Sequence, residues 1–222
     1  MKYLKLAVLL FLGTTTFAQT TIIRQDVDIK NMINEVSAKN VENTVRKLVS
    51  FGTRHTMSDT LSKTTGIGAA RNWIKAEFEK YSAASGGRLK VEFDTFIQPA
   101  DGRRILKDAT LKNVLAILPG TDPTDNRVFV VSGHYDSRAS NANDATSKAP
   151  GAVDDASGTA VTMELARVMS TQKYNATIIF VAAVGEEQGL YGAAHLAKRA
   201  KQEGWNVVAM ITNDIVGNTY GG

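Results

Sequence analysis

Apolar and polar positions fall into two textures along the chain. In the first, apolar residues recur at helical spacing. Ile29, Met32, Ile33 and Val36 make one such pattern, and Val41, Val45, Leu48 and Val49 a second. Residues 65–81 continue it, with Ile67, Ala70, Ile74, Phe78 and Tyr81 along one stripe, and Ser85-Gly86-Gly87 stops that helix. Leu89, Val91 and Phe93 then alternate as a strand does, and Asp101-Gly102 predicts a hairpin turn. From residue 111 the texture changes. Residues 114–118, 128–131, 178–184 and 207–211 are short, nearly continuous apolar runs, the pattern of strands buried on both faces. Between them, 157–169 (Val161, Leu165, Val168 and Met169 on one side) and 192–202 read as helices. Strand and helix alternating in this way predict an α/β fold, a mainly parallel sheet covered by helices on both faces. Functional side chains in such sheets collect just past the C-terminal ends of strands.

The first residues follow a different logic. Lys2 and Lys5 make a short basic start, residues 6–12 an apolar run, and 14–18 a small-residue stretch ending Thr16-Phe17-Ala18. This is the three-part layout of a secretory signal peptide, with cleavage expected after Ala18 or Gln19. The expectation is a secreted protein, extracellular or periplasmic, with residues 1–18 as signal and 19–222 as a single domain. The apolar run falls short of the roughly 20 residues that span a bilayer, and no later run is longer, so no stable membrane span is expected.

Composition narrows the chemistry. Hydrophobic residues make up 43% and charged residues 22%, ordinary globular usage that excludes disorder as an overall description. The net charge of +4 falls to +2 without Lys2 and Lys5, too small an imbalance for a nucleic-acid surface. Cysteine is absent. That excludes a disulfide scaffold, a thiolate metal site and a cysteine nucleophile. Any metal must be held by histidine and carboxylates.

Such side chains stand at the expected strand ends. The run 128–131 leads into Ser132-Gly133-His134-Tyr135-Asp136-Ser137, and a loop then reaches Gly151-Ala152-Val153-Asp154-Asp155-Ala156-Ser157-Gly158 at a helix start. The run 178–184 ends in Gly185-Glu186-Glu187-Gln188-Gly189, and 207–211 in Thr212-Asn213-Asp214. Taken singly, an Asp at a strand end caps a helix, a Glu pair is a solvated loop, and a lone His is structural. Taken together, this much negative charge at one sheet edge is strongly unfavourable without cations. Divalent metals relieve it, and a nitrogen and oxygen donor set suits zinc.

The ordered set of H-Y-D-S, G-A-V-D-D-A-S-G, G-E-E-Q-G-L-Y-G and N-D resembles the secreted co-catalytic dizinc aminopeptidases, the bacterial leucyl aminopeptidases among them. Glutamate carboxypeptidases and glutaminyl cyclases are more distant kin. Phe51-Gly52-Thr53-Arg54-His55 and residues 113–120 support the match. The resemblance implies a zinc exopeptidase-like fold acting on peptides with a free N-terminus, with two Zn2+ ions per complete enzyme. It implies that His134 and Asp214 bind one zinc, Glu187 the other, and Asp154 both. Glu186 would be the general base, and Asp136 would hold the second ring nitrogen of His134. It also implies a cis peptide bond between Asp154 and Asp155.

The family pattern ends with a further His for the second zinc, well after the position of Asp214. Besides His134 the chain has only His55 and His195, both read as structural. The expectation is therefore a chain lacking its C-terminal part, weakly active by itself and binding about one zinc or less. Two other readings stand beside the aminopeptidase: a glutaminyl-cyclase-like single-zinc acyltransferase, and a metal-free, non-catalytic binding domain of the same fold.

Overall fold

The structure, a computed structural model, describes residues 26–217. The expected signal peptide and the Tyr220-Gly221-Gly222 end lie outside the described residues. Helix α1 (Val27–Glu35) starts at Asp26, whose carboxylate accepts from the backbone N–H of Asp28 and Ile29. Ser37 does the same for α2 (Ala38–Val49) through Asn40 N–H, so both helices open on a side chain that satisfies otherwise orphaned donors. Helix α3 (Gly66–Ala84) stops where expected. Ser85 caps it, and Gly86 and Gly87 follow at φ of 70° and 78°.

Strands β1 (Lys90–Gln98), β2 (Ala109–Leu118) and β3 (Arg127–His134) come next. An irregular turn over Ala152–Ser157 leads into α4 (Gly158–Met169). Strand β4 (Thr177–Ala183), the short α5 (Glu186–Gly189), α6 (Tyr191–Gln202) and β5 (Asn206–Thr212) complete the order. Among the described residues no helix is long and apolar enough to cross a membrane.

The sheet runs β1-β2-β4-β3-β5. The α/β class is as expected, but the pairing is more evenly mixed than a mainly parallel sheet: β3 pairs with β4 and β5 in parallel, whereas β1–β2 and β2–β4 are antiparallel. Connections explain this. The loop 99–108 simply reverses the chain between β1 and β2, with Asp101-Gly102 inside it. Residues 119–126 reverse it again before β3. The crossovers through α4 and α6 are long enough to bring parallel neighbours to β3; the first drops β4 between β2 and β3, and the second sets β5 on the other side.

Side chains of the sheet alternate between two cores. Val114, Ala116, Leu118, Ile178, Phe180 and Ala182 pack with Leu48 of α2, Ile74 and Phe78 of α3 and Met163 of α4. Leu115, Val128, Val130, Ile179, Val181 and Ala183 face the other way, against Leu196 of α6. Helices thus lie on both faces, with the larger core under three of them. The run at 207–211 departs from expectation. Instead of being buried on both faces, β5 is exposed throughout, Ile211 at 60%. Among the described residues β5 pairs with β3 alone, so its second edge meets solvent.

Candidate metal centre

Strand β3 delivers His134, which is 4% exposed. The Nδ1 of its ring lies 3.2 Å from the backbone carbonyl of Asp136 and 3.6 Å from the Asp136 carboxylate. The sequence-based expectation gave that anchoring to the carboxylate; the carbonyl makes the hydrogen bond instead. The other nitrogen, Nε2, is closed off from solvent and has no hydrogen-bond partner among the described residues. It faces carboxylates from three segments: Asp154 Oδ1 at 3.1 Å, off the hydrogen-bonding direction, Glu186 Oε2 at 3.8 Å and Asp214 Oδ1 at 3.9 Å.

A buried imidazole nitrogen without a hydrogen bond, set before carboxylates, fits a cation. Ligand atoms of His134, Asp154 and Asp214 all lie within 4.8 Å of one another. Modest contraction brings such a group to the bonds of about 2 Å that zinc makes with nitrogen and oxygen. The expected ligands of the first zinc are therefore together at the C-terminal edge of the sheet.

Charge at this edge is strained in the way a cation would relieve. Burial alone favours neutral His134, but the Asp136 carboxylate, with Asp155 and Glu186, outweighs it and raises the imidazole to about 10. Burial, then Asp154 and Asp136, push the Glu187 carboxyl up to about 7. Glu186 is raised by the same two influences, burial first and neighbouring carboxylates after it.

The Glu186–Glu187 turn follows β4. Gly185, at φ 72°, opens it, a backbone angle natural to glycine. The Asp136 carboxylate accepts from the backbone N–H of both glutamates, at 3.2 and 3.3 Å, and from the Thr56 hydroxyl at 2.9 Å. Asp136 thus positions the turn by its carboxylate and His134 by its carbonyl. Glu187 stands apart from the three-ligand group, with its carboxylate 3.4 Å from Arg138 Nε.

Three positioning residues carried no separate role in the sequence reading. Asp155, joined to Asp154 by the cis bond that the resemblance implies, is fully buried. Its Oδ2 accepts from His134 N–H at 2.9 Å, and its Oδ1 from Gly158 N–H at 2.8 Å and Ile215 N–H at 3.4 Å. One carboxylate therefore ties together the segments that carry His134, Asp154 and Asp214. Burial raises it to about 6. Gly158 makes this closeness possible, since a Cβ there would lie 2.0 Å from the carbonyl oxygen of Asn213.

Arg54 is buried beneath the same loops. It donates to the carbonyls of Tyr135 (2.7 Å), Leu48 (3.2 Å), Pro150 (2.7 Å) and Gly151 (2.9 Å). Burial lowers it to about 10 against the pull of Asp136, Asp155 and Asp154. Asn113 joins Asp94 to the far side of the turn: its Nδ2 donates to Asp94 Oδ2 and the Gly192 carbonyl, both at 2.9 Å, and its Oδ1 accepts from Val184 N–H at 3.0 Å. The sequence offered Asp155 no more than a place at the start of a helix. Nothing in the sequence marked Arg54 beyond its place in a supporting match.

His55 and His195 are structural, as expected. His55 Nδ1 accepts from Met57 N–H and its Nε2 lies 2.9 Å from the Ala142 carbonyl. His195 stacks on Phe96, with ring centroids 4.2 Å apart, and meets Asp94 at 3.2 Å.

Comparison with known proteins agrees with this geometry. Residues 113–221 match peptidase family M28. A probable zinc metalloprotease of Leptosphaeria maculans is 49% identical over 194 residues, which is 87% of this chain and 44% of the relative. The chain thus spans less than half the length of that relative. Among solved structures, the Legionella pneumophila LapA aminopeptidase superposes with a TM-score of 0.67 at 22% identity, over 96% of this chain and 52% of its own. A Porphyromonas gingivalis glutaminyl cyclase does so with 0.62 at 20%, over 84% and 62%. These two likenesses establish the shared zinc exopeptidase-like fold.

Proposed function

From residues 113–221, a peptidase family M28 domain, we infer that the chain belongs to a secreted zinc aminopeptidase that removes N-terminal residues from peptides. The observation that carries this reading is the sealed, unpartnered Nε2 of His134 before Asp154 and Asp214. His134, Asp154 and Asp214 would hold one zinc, and Asp154 with Glu187 would contribute to a second. Zinc there supplies Lewis acidity, polarising the scissile carbonyl and making water acidic near neutral pH.

The chain's own groups do the rest. Glu186 is outside the three-ligand group yet within 3.8 Å of His134 Nε2. It is the general base in this reading, taking a proton from water and handing it to the departing amine. A carboxyl raised by burial is suited to that work, because it binds a proton readily. Asp136, holding both glutamate N–H groups, keeps the base in line. The surrounding carboxylates attract a positively charged α-amino group. Secretion is supported by the layout of residues 1–18.

The test is turnover by the full-length, zinc-loaded protein on leucyl anilide, its N-acetyl derivative and a peptide with N-terminal Gln. Release of anilide from the free amine but not from the acetylated substrate is expected. Cyclisation of the Gln peptide without peptide hydrolysis would instead mean an acyltransferase. A zinc-free, inert protein would mean a binding domain.

A further inference from the structure

Beside the glutamate turn lies a pocket, and we propose that its arginines, Arg103 and Arg104, form a subsite for a substrate carboxylate. The inference deepens the peptidase reading and rests on it: the preferred peptide carries an anionic group close to the scissile bond. The pocket, about 420 Å³, is bounded by Asp101, Arg103, Arg104, Glu186, Glu187 and Tyr191 among others. A molecule held between Glu186 and the arginines would span both regions.

Neither arginine has an ion-pair partner among the described residues. Arg103 and Arg104 both stand on the wall of this pocket, and a guanidinium takes a carboxylate through two parallel N–H donors. The nearest acid in sequence is already committed. Asp101 Oδ1 accepts from the backbone N–H of Arg103 and Arg104, both at 2.8 Å, and of Ile105 at 2.9 Å. Its Oδ2 accepts from the Tyr191 hydroxyl. Asp101 therefore builds the loop and fastens it to the start of α6, while Ile105, fully buried, anchors its far side. The guanidinium groups stand on a framed loop rather than a loose one.

The anion can be the C-terminal carboxylate of a short peptide or the side chain of an acidic residue after the cleaved bond. Two substrate pairs separate these sources: leucyl-alanine against its amide, and leucyl-glutamate amide against leucyl-glutamine amide. With full-length, zinc-loaded protein, kcat/KM should favour the anionic member of at least one pair by about tenfold or more, mainly through KM. The double substitution Arg103→Gln with Arg104→Gln should bring that ratio to within about twofold, and Arg104→Lys should keep part of it, since charge remains while the fork is lost. An unchanged ratio in the double variant, or no preference in the unsubstituted protein, overturns the subsite. Calorimetric titration with N-acetylglutamate against N-acetylglutamine gives a reading free of turnover. Binding of the first alone, lost in the double variant, supports the subsite even if no peptide is cleaved. Equal binding of both overturns it even if peptides are.

Discussion

Strands β4 and β5 flank β3 on either side, both in parallel with it, and each ends in carboxylates of the same site. Their surroundings could hardly differ more. From Ile178 to Ala183 β4 is buried throughout, because β2 and β3 occupy its edges while α4 and α6 lie over opposite faces. All of β5 is exposed, although its sequence is equally apolar. Burial is thus conferred by neighbours in space rather than by the apolarity of the run. The consequence reaches the chemistry. Glu186 and Glu187 are fixed from several sides, through Asn113 at Val184 and Asp136 at the turn. Asp214 depends on the β3 ladder, on Asn213 N–H to the Ser132 carbonyl at 2.8 Å, and on Asp155 at Ile215.

The sharpest way to break this comparison is to delete the carboxylate at each end. Glu186→Ala should keep its zinc and lose about 10²–10⁴ in kcat, the usual worth of a positioned acid–base group. Asp214→Ala should lose zinc. Metal analysis beside turnover decides, and loss of zinc from the Glu186 variant would make Glu186 a ligand rather than a base. Next in size is the core. Phe180→Ala on β4, 0% exposed, should cost about 3–5 kcal/mol in urea unfolding, and Ile211→Ala on β5 within about 0.5. Similar costs at the two sites would erase the distinction.

A smaller effect belongs to the brace between the strand ends. Asp155→Asn keeps an acceptor but loses the charge that holds three segments, and zinc affinity should fall about 10- to 100-fold in chelator competition. Unaltered affinity would show that the ladder alone positions Asp214. The least effect needs no metal. With Glu187 raised to about 7 by burial, the metal-free native state holds a proton that the unfolded chain releases near 4.5. Its contribution to stability is complete below about pH 4.5 and is lost as pH rises through about 7. Stability of chelator-treated protein should therefore decline between pH 5 and 8, less steeply in Glu187→Gln. An equal slope in both would remove Glu187 as the cause.

Much of the architecture was legible in the residues. Helical spacing located α3 and α4, and apolar runs located β2, β3, β4 and β5 to within a few positions, because each period reports a face that must be covered. The apolar runs placed His134 and Asp214 at one sheet edge, while their grouping with Asp154 as ligands came from the resemblance; the three do stand together. What escaped notice depends on long-range geometry. The antiparallel half of the sheet follows from where β4 inserts, and periodicity carries no record of that. Among the described residues β5 has β3 as its one sheet neighbour, and an apolar run cannot disclose how many neighbours a strand has. Asp155 and Arg54 act through backbone groups far away in sequence, and backbone groups leave no signature in a string of side chains.

Arg54 also bears on the order in which the molecule assembles. Its acceptors Tyr135 and Gly151 lie 81 and 97 residues further along, so long loops must close before it finds them, and that entropy is spent before the contacts form. Until then the guanidinium is better placed in water. The floor of the metal centre is therefore a late event, completed after the helices and the β1–β2 hairpin, whose contacts are local. In reverse, opening this region alone gives up four hydrogen bonds donated by one guanidinium, so it resists local opening. The amide of Ser137, which donates to the Arg54 carbonyl, should exchange its hydrogen as slowly as the interior of β3.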